Sequence, residues 1–429
     1  MKAIGGSDWG PLADWPRSVC ALMLMVLPLM VYATQKWTGL VGVAWLIFSM
    51  FVWRRATARR PAGQTLGNIG AIGLALFPIL VMVIIFTLDG KGANLDNPSR
   101  FLLLLPVAVV IAGLGPSPRY WFVAHAIGGF AGGCFALYPF LAGDSALATG
   151  MLDNPNKFAY VTASSALACL AAFELHKSER PPAWLLASGG MMATVGLLLS
   201  GTRGAWLAFA AALGGWFLLS QSIRWRTRLG VLAVVVFGAI IFATLEGKVV
   251  QQRWEKTTVE LQRYFAGDWE ESSIGERFEL WRGAIIMIKQ EPLTGIGLNN
   301  YNPGLRQLVS QGILDPQIAH HGHAHNELLM WWATGGILGL IGVTAALLGP
   351  LIYFVRRVSQ ASRVAAASGE SASSPTNRRY RACAVAGSLL TTLTFIFSLF
   401  DPIFYVQFAT ICYALAVVTL MGLTEASRK

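Results

Sequence analysis

The sequence predicts an all-α polytopic membrane protein. Hydrophobic residues make up 55% of the 429-residue chain and charged residues only 13%, whereas a soluble protein carries roughly 25% charged residues. The mean hydropathy is +0.54. The apolar residues fall in repeated runs that approach the roughly 20 residues needed to cross a bilayer as a helix. Together these observations exclude an ordinary soluble enzyme.

About twelve membrane-spanning helices are predicted from these runs. The first, near 18–35, lacks a small-x-small cleavage site and is followed at once by another apolar run, so we interpret it as a span and not as a signal peptide. The others are predicted near 38–53, 67–88, 100–115, 119–141, 157–175, 183–200, 204–220, 229–245, 326–355, 381–400 and 403–423.

The placement of lysine and arginine predicts the orientation of the chain. With both termini in the cytoplasm, 20 basic residues fall in cytoplasmic segments and 5 in the short outside loops, which is the bias that the positive-inside rule describes. The chain then divides into spans 1 to 9 at 1–245, an extracytoplasmic loop at 246–325, and spans 10 to 12 at 326–429 with a cytoplasmic linker at 356–380. The net charge of +11 is explained by this bias, so no nucleic-acid partner is indicated.

The extracytoplasmic loop contains a predicted amphipathic helix. Phe278, Trp281, Ile285 and Ile288 recur at helical spacing, and the segment Pro292–Gly297 ends the pattern with proline and glycine. We expect this apolar face to lie on the membrane surface or over the helix bundle.

Titratable residues cluster where this loop meets the tenth predicted span. Four of the six histidines fall in six residues just before that span: His320, His321, His323 and His325. Asn326 is placed to cap the helix that follows. A neutral imidazole can accept a proton from an attacking hydroxyl, so a general base is one interpretation of this cluster. A metal site that includes Glu327, although no recognised zinc pattern is present, and a solvated loop without a role are the alternatives.

Three arginines on the predicted outer side are candidate anion-binding residues. Arg203 lies in a tight hairpin between two spans, Arg100 opens the fourth span, and Arg282 lies on the loop helix. A charge at the centre of a membrane costs about 2.5–3.5 kcal/mol on insertion scales, and guanidinium groups bind phosphate oxygens bidentately. The arginines therefore indicate a phosphate-bearing lipid. The alternative is that they snorkel or pair with loop carboxylates such as Asp96 and Glu279.

These motifs resemble the O-antigen ligase family, which shares this region with O-antigen polymerases and bacterial O-linked oligosaccharyltransferases. The resemblance is strongest over about 200–340. It rests on a large loop followed by His323-Ala-His325-Asn326, on Ser200-Gly-Thr-Arg203, on the stretch from Arg277 through Trp281 and Arg282 to Gly297, and on Asn154-Pro-Asn156.

The resemblance implies a GT-C-type glycosyltransferase embedded in the bacterial inner membrane. Its donor would be a glycan linked to undecaprenyl pyrophosphate, its acceptor the core oligosaccharide of lipid A, and its active site would face the periplasm. The reaction would invert the anomeric centre without a metal, a nucleotide or another cofactor. Carried over by motif, His325 is the base and His323 substitutes for it or supports it.

The same resemblance assigns the binding residues. Arg203 and Arg282 would bind the pyrophosphate. Arg100 matches a less distinctive position of the family, and Asn326 belongs with the residues expected to contact substrate.

Three other functions compete with that of a ligase. An O-antigen polymerase typically has two large outside loops and an O-linked oligosaccharyltransferase a soluble C-terminal region, whereas here one large loop is predicted and Thr424–Lys429 follow the last span. A polysaccharide or lipid transporter tends to carry charged or broken helices near the midplane, whereas here the polar groups gather at the outer face. A ligase is therefore expected.

Overall fold

The computed structural model describes residues 15–33, 36–87, 92–142, 147–220, 223–233, 236, 273–367 and 374–428, and this part of the chain contains helices and no strand. The helices before the large loop are α1 (Trp15–Met30), α2 (Trp37–Arg59), α3 (Ala62–Leu66), α4 (Ile69–Thr87), α5 (Asp96–Leu103), α6 (Leu105–Leu114), α7 (Arg119–Leu141), α8 (Pro155–Ala171), α9 (Ala183–Leu199) and α10 (Arg203–Leu219). Those that follow are α11 (Ser273–Gln290), α12 (Tyr301–Ser310), α13 (Glu327–Ala367), α14 (Pro375–Ser398) and α15 (Gln407–Ala426).

The helices coincide with the predicted spans wherever the structure describes them. Within the described ranges, seven segments are long and apolar enough to cross a membrane: α2, α4, α5 with α6, α7, α13, α14 and α15. The helices α1, α9 and α10 are apolar but shorter. The protein is therefore a polytopic, helical membrane protein. The span predicted at 229–245 lies mostly outside the described residues, so the count of twelve stays a prediction.

The bundle is built around its two C-terminal helices. In α14 and α15, 83% and 89% of the apolar stretch is buried, and α14 packs against α10 and α13 while α15 packs against α6. Helices at the periphery expose large apolar side chains, among them Met50, Phe51 and Phe86. A surface of this kind is suited to contact with lipid tails. The turn that joins α14 to α15 is thus held at the centre of one end of the bundle.

Ion pairs gather at the opposite end of the bundle. Glu425 near the end of α15 accepts hydrogen bonds from Arg357 of α13 and lies 3.6 Å from a guanidinium nitrogen of Arg60. Glu174 pairs with Arg381 at 3.1 Å. These arginines are predicted to be cytoplasmic, and the structure brings them to one end, as the alternating helix directions require. Which face is the cytoplasmic one stays a prediction.

The residues predicted as a cytoplasmic linker are partly helical. The helix α13 continues to Ala367 and α14 begins at Pro375. Both helices therefore extend into the segment 356–380, of which residues 368–373 lie outside the described part.

The helix α13 is interrupted near its start, and the loop 293–297 fills the interruption. Gly336 has φ 60° and ψ −153°, which is outside the helical region. Three backbone hydrogen bonds join the two segments: Ile296 N–H to Ala333 O at 2.9 Å, Gly297 N–H to Thr334 O at 3.0 Å, and Ile337 N–H to Leu293 O at 3.1 Å. Because lipid offers no hydrogen-bond partners, a broken helix at membrane depth is tolerated only where protein satisfies its backbone.

The described part of the large loop, residues 273–325, forms a small domain on the first turns of α13. The predicted helix is confirmed as α11, but its buried face is rotated from the predicted one. Leu280, Ala284, Met287 and Ile288 are buried against α12 and α13, whereas Ile285 is exposed. The reason is close packing. A Cβ at Gly283 would lie 2.7 Å from a methyl carbon of Leu305, so the glycine lets α11 approach α12 closely along the face that carries Leu280, Ala284 and Met287.

Replacement of Gly336 by alanine is expected to destabilise the protein. The residue has a positive φ, and a Cβ there would lie 2.2 Å from Leu293 O. The backbone strain alone costs about 1–3 kcal/mol. We expect a lower midpoint of thermal unfolding for purified Gly336→Ala in detergent. Gly214→Ala is the matched control, because its Cβ would meet nothing within 4 Å. Equal midpoints for the two variants would show that the contact between the loop 293–297 and the break in α13 does not stabilise the protein.

Candidate functional site

The candidate site lies at the end of the bundle opposite the ion pairs of Glu425, where four segments of the chain meet. They are the start of α10, the first turns of α11, the histidine run 320–325, and the turn 399–406 between α14 and α15. The turn supplies a carboxylate, the run supplies imidazoles, and the two helices supply guanidinium groups.

His325 is paired with Asp401. Its Nδ1 lies 3.2 Å from Asp401 Oδ1, and about a fifth of each side chain is exposed. The backbone of His325 has φ 49°, a left-handed conformation that costs a non-glycine residue about 1–2 kcal/mol. Strain of this kind persists where surrounding contacts impose it, and it is concentrated at functional sites.

Glu327 joins the start of α13 to the turn 399–406. Its fully buried carboxylate accepts a hydrogen bond from Trp331 Nε1 at 2.6 Å and another from the backbone N–H of Phe404 at 3.0 Å. The side chain of Asn326 accepts the N–H of Leu329 at 3.0 Å, so its predicted capping role is confirmed. The helix cap and the buried carboxylate together hold His325 in position beside Asp401.

The histidine run packs ring against ring. The ring centroids of His323 and His325 lie 4.2 Å apart at an interplanar angle of 73°, and those of His320 and His321 lie 4.1 Å apart. Burial, assisted by the neighbouring His325, His321 and Arg277, lowers the pKa of His323 to about 4. Burial and the adjacent histidines also lower the pKa of His321. Both imidazoles are therefore neutral near pH 7.

Arg277 lies beside these histidines, and Arg203 lies within electrostatic range of Arg277. Burial lowers the pKa of Arg277, and the positive charge of Arg203 lowers it further, while the Asp401 carboxylate opposes that shift. The start of α10 touches the turn directly, because a Cβ at Gly204 would lie 2.8 Å from Phe400 Cβ. Arg277 therefore lies within electrostatic range of both the Asp401 carboxylate and the guanidinium of Arg203, next to neutral imidazoles. Such a site is suited to an anionic group.

The hairpin before Arg203 is held by local hydrogen bonds. Gly201 adopts φ 64°, and the indole N–H of Trp206 donates to Leu197 O at 3.0 Å. The hydroxyl of Thr202 donates to Asn156 Oδ1 at 3.3 Å. The two outer turns that carry Ser200–Arg203 and Asn154-Pro-Asn156 are therefore in contact, and the backbone that places Arg203 is restrained.

Arg282 does not join this group in the described structure. It donates to Glu279 Oε1 at 3.3 Å, and 54% of its side chain is exposed. Of the arginines on α11, Arg277 is the one that lies beside the histidines. The assignment of Arg282 to a pyrophosphate stays a prediction.

Arg100 lies near the turn 399–406, but its guanidinium is already paired with a carboxylate of its own helix. Its guanidinium donates to both carboxylate oxygens of Asp96, at 2.9 and 2.8 Å, so the pairing alternative is observed for this residue. Asn97, which is also on α5, donates its side-chain N–H to Tyr405 O at 2.9 Å. The contact connects α5 to the turn that carries Asp401.

Sequence reasoning did not single out Asp401 or Arg277. Asp401 is 76 residues from His325 along the chain, and nothing local in the sequence links the two. The available signal was its position as an acidic residue in a short predicted outside turn. Arg277 lies within the motif that carries the family resemblance, but Arg282 beside Trp281 was chosen. Among the residues that the structure describes, no group of three His, Cys, Asp or Glu side chains is arranged to hold a metal ion.

Comparison with known proteins confirms the family resemblance. Residues 189–344 match the family model described as O-Antigen ligase, and this range contains the hairpin of Arg203, the loop domain and the histidine run. The chain is also 24% identical over 289 residues to a protein of Haemophilus influenzae described as uncharacterized. That alignment covers 67% of this chain and 72% of the relative.

The lowered pKa of His323 predicts a loss of stability in acid. Between pH 6.5 and about 4 the unfolded chain binds a proton at this histidine and the folded chain does not, so the free energy of unfolding decreases as the pH falls through that window. We expect His323→Gln to lose less thermal stability than the wild type between these pH values. His176→Gln, at a half-buried histidine far from the site that contacts Ser178, is the control and should behave as the wild type. An identical loss in His323→Gln would contradict the prediction.

Proposed function

We propose that this protein is an O-antigen ligase that transfers a glycan from undecaprenyl pyrophosphate to the core oligosaccharide of lipid A. The observation that carries the proposal is the meeting of the His325–Asp401 pair with Arg203 and Arg277 at one end of a membrane bundle. The pair can remove a proton from a hydroxyl, and the arginines can bind a pyrophosphate. The match to the O-antigen ligase family supports the same class of reaction.

His325 is the proposed general base. With its Nδ1–H donating to Asp401 Oδ1, the Nε2 atom presents a lone pair to the acceptor hydroxyl, which is the role that a carboxylate-oriented histidine performs in hydrolases. The strained backbone of His325 and the anchoring of the turn by Glu327 reduce the freedom of the ring before substrate binds. Less reorganisation is then needed in the transition state.

The arginines are proposed to stabilise the leaving group. As the bond between the anomeric carbon and the pyrophosphate oxygen breaks, the oxygen keeps the electron pair and negative charge grows on the phosphate. Arg277 and Arg203 are placed to neutralise that charge, and a donor of this kind contributes about 3–4 kcal/mol in a preorganised site. Arg282, Arg100 and Asn326 are proposed to contact the donor or acceptor more peripherally.

The reaction is a single displacement. The acceptor oxygen forms its bond to the anomeric carbon on the face opposite the departing pyrophosphate, and Nε2 of His325 takes the hydroxyl proton. The products are the glycosylated acceptor and undecaprenyl pyrophosphate, and the anomeric centre is inverted. His323 is proposed to support the base, because its neutral ring packs against His325 without adding a charge that would oppose protonation.

The orientation in the membrane is part of the proposal. The hydropathy runs and the positive-inside bias of the sequence support twelve spans, with both termini cytoplasmic and the site at the periplasmic face of the inner membrane. The position of Arg60, Arg357 and Arg381 at the end of the bundle away from the histidines supports the same orientation. A ligase would meet both lipid-linked substrates there.

Three acceptors distinguish the enzymes of this family. Purified protein in detergent is given a polyprenyl-pyrophosphate-linked glycan together with lipid A–core, with a second lipid-linked glycan, or with a serine- and threonine-containing peptide. We expect transfer to lipid A–core. Transfer to the lipid-linked glycan indicates a polymerase, and transfer to the peptide indicates an oligosaccharyltransferase. Transfer to any of the three acceptors excludes a pure transporter, and no transfer in any mixture overturns the proposed ligase function.

The base is tested by changing each member of the pair. His325→Ala is expected to reduce transfer on the order of 10²–10⁴-fold, the usual contribution of general base catalysis. Asp401→Asn should reduce transfer comparably, because an amide can donate to Nδ1 and so leave the proton on Nε2, where it blocks the base. His176→Ala serves as the control. Transfer at the wild-type rate in His325→Ala would remove this residue from the base role.

The phosphate site is tested by exchanging arginine for lysine. Arg277→Lys keeps the charge but loses the planar fork, and we expect transfer to fall about 10–150-fold, the effect of one charge-assisted hydrogen bond worth about 1.5–3 kcal/mol. Arg119→Lys, at an exposed residue at the start of α7, is the matched control. Equal rates in both variants would exclude bidentate binding by Arg277.

A further inference from the structure

The loop domain carries a second cavity that the proposed reaction does not use. It has a volume of about 260 Å³ and lies between the end of α11, the loop before α12, and α12 itself. This volume is close to the lower limit of about 300 Å³ for small-molecule pockets. The cavity belongs to the domain that is packed on the first turns of α13, at the same end of the bundle as His325.

The lining of the cavity is polar but uncharged. Four amide side chains reach it: Gln290, Asn300, Gln307 and Gln311. Asn300 donates to Ile296 O at 2.7 Å, whereas within the described residues the amides of the three glutamines make no hydrogen bond and are exposed. Each amide offers both a donor and an acceptor. The ligand that matches this lining presents many neutral groups that both donate and accept, as sugar hydroxyls do.

The floor of the cavity is apolar and closely packed. It includes the buried side chains of Met287 and Leu308. A Cβ at Gly304 would lie 2.8 Å from Met287 Cε, so glycine here lets the two helices approach and keeps the floor open. An apolar floor beneath a rim of amides fits the C–H face and the hydroxyl edge of one saccharide ring. An anion or a cation would find no opposite charge here and would be bound poorly.

The cavity is connected to the histidine run by one rigid element. Gln307 and Gln311 line the cavity from one face of α12 and its C-terminal end. Asn302, on the opposite face of α12, donates to Ala319 O at 2.9 Å and to His321 O at 2.8 Å. The cavity and the backbone of the histidine run thus lie on opposite sides of α12, and a helix with its side chains is about 10–12 Å wide.

We propose that this cavity binds a neutral sugar unit of the glycan that is transferred or of the acceptor oligosaccharide, and so holds the chain while its reacting end is at His325. The source of the sugar rests on the proposed function, whereas the binding of a neutral saccharide rests on the cavity itself. The ligand is an uncharged hexose or N-acetylhexosamine.

The cavity is tested by direct binding to the full-length protein in detergent. Glucose, galactose, mannose and N-acetylglucosamine are titrated and followed by saturation-transfer NMR, with glucuronate as the charged counterpart of glucose. We expect a neutral sugar to bind in preference to glucuronate. The double variant Gln307→Leu with Gln311→Leu should bind it about tenfold more weakly or worse, as the loss of two neutral hydrogen bonds predicts.

Two control variants complete the test. Gln317→Leu changes an exposed glutamine of the same domain outside the cavity and should bind as the wild type. His325→Ala should also bind as the wild type although transfer is lost. The proposal is overturned if no neutral sugar binds at up to about 50 mM, well above a weak Kd of about 1 mM, if glucuronate binds as well as glucose, or if the double variant binds as the wild type.

The transfer assay separates this inference from the proposed function. If the protein is a ligase, the double variant should raise KM for one glycan substrate and leave kcat unchanged. If the wild type transfers no glycan to any acceptor but binds a neutral sugar in a glutamine-dependent way, the proposed function fails and the saccharide site stands. An unchanged KM for both substrates in the double variant overturns the link between the two sites.

Discussion

The site depends on the contact between the start of α13 and the turn that joins α14 to α15. Two carboxylates make this contact from opposite sides: Asp401 of the turn meets His325, and Glu327 of α13 accepts the backbone N–H of Phe404 in the turn. Because α14 and α15 are the most buried of the membrane-length helices that the structure describes, the turn is held by the centre of the bundle. The histidine ring is therefore oriented by the turn between the two most buried of these helices, although it lies at the end of a loop.

A second constraint comes from the lipid environment. The helix α13 breaks at Gly336, and the freed backbone groups pair with the segment Leu293–Gly297. These backbone hydrogen bonds place α11 and α12 on the same helix that begins beside His325. Arg277 reaches the histidines from α11, and α12 holds the histidine backbone through Asn302. The backbone groups freed at the break in α13 need hydrogen-bond partners. This need determines where the loop domain lies and which of its side chains reach the site.

The parts of the site that were predicted from the sequence share one property. Each of them was indicated by the residues next to it in the chain. His323 and His325 lie at the boundary between a polar segment and an apolar one, and Arg203 lies in a hairpin too short to allow its backbone much freedom. Arg282 was selected in the same way, from its neighbour Trp281. On a helix, however, residues five apart point in directions about 140° apart, and the rotation of α11 turns Arg277 toward the histidines while Arg282 pairs with Glu279.

The sequence by itself determined the helical membrane plan and the histidine run as the candidate source of a base. Hydropathy and the placement of basic residues suffice for these features, because they depend only on how each segment partitions between water and lipid. The tertiary structure alone decided that Asp401 is the partner of His325, that Arg277 lies beside them, and that α12 carries a cavity lined with amides. These features depend on the rotation and contact of segments far apart in the chain, which the packing of small residues and the pairing of buried polar groups set.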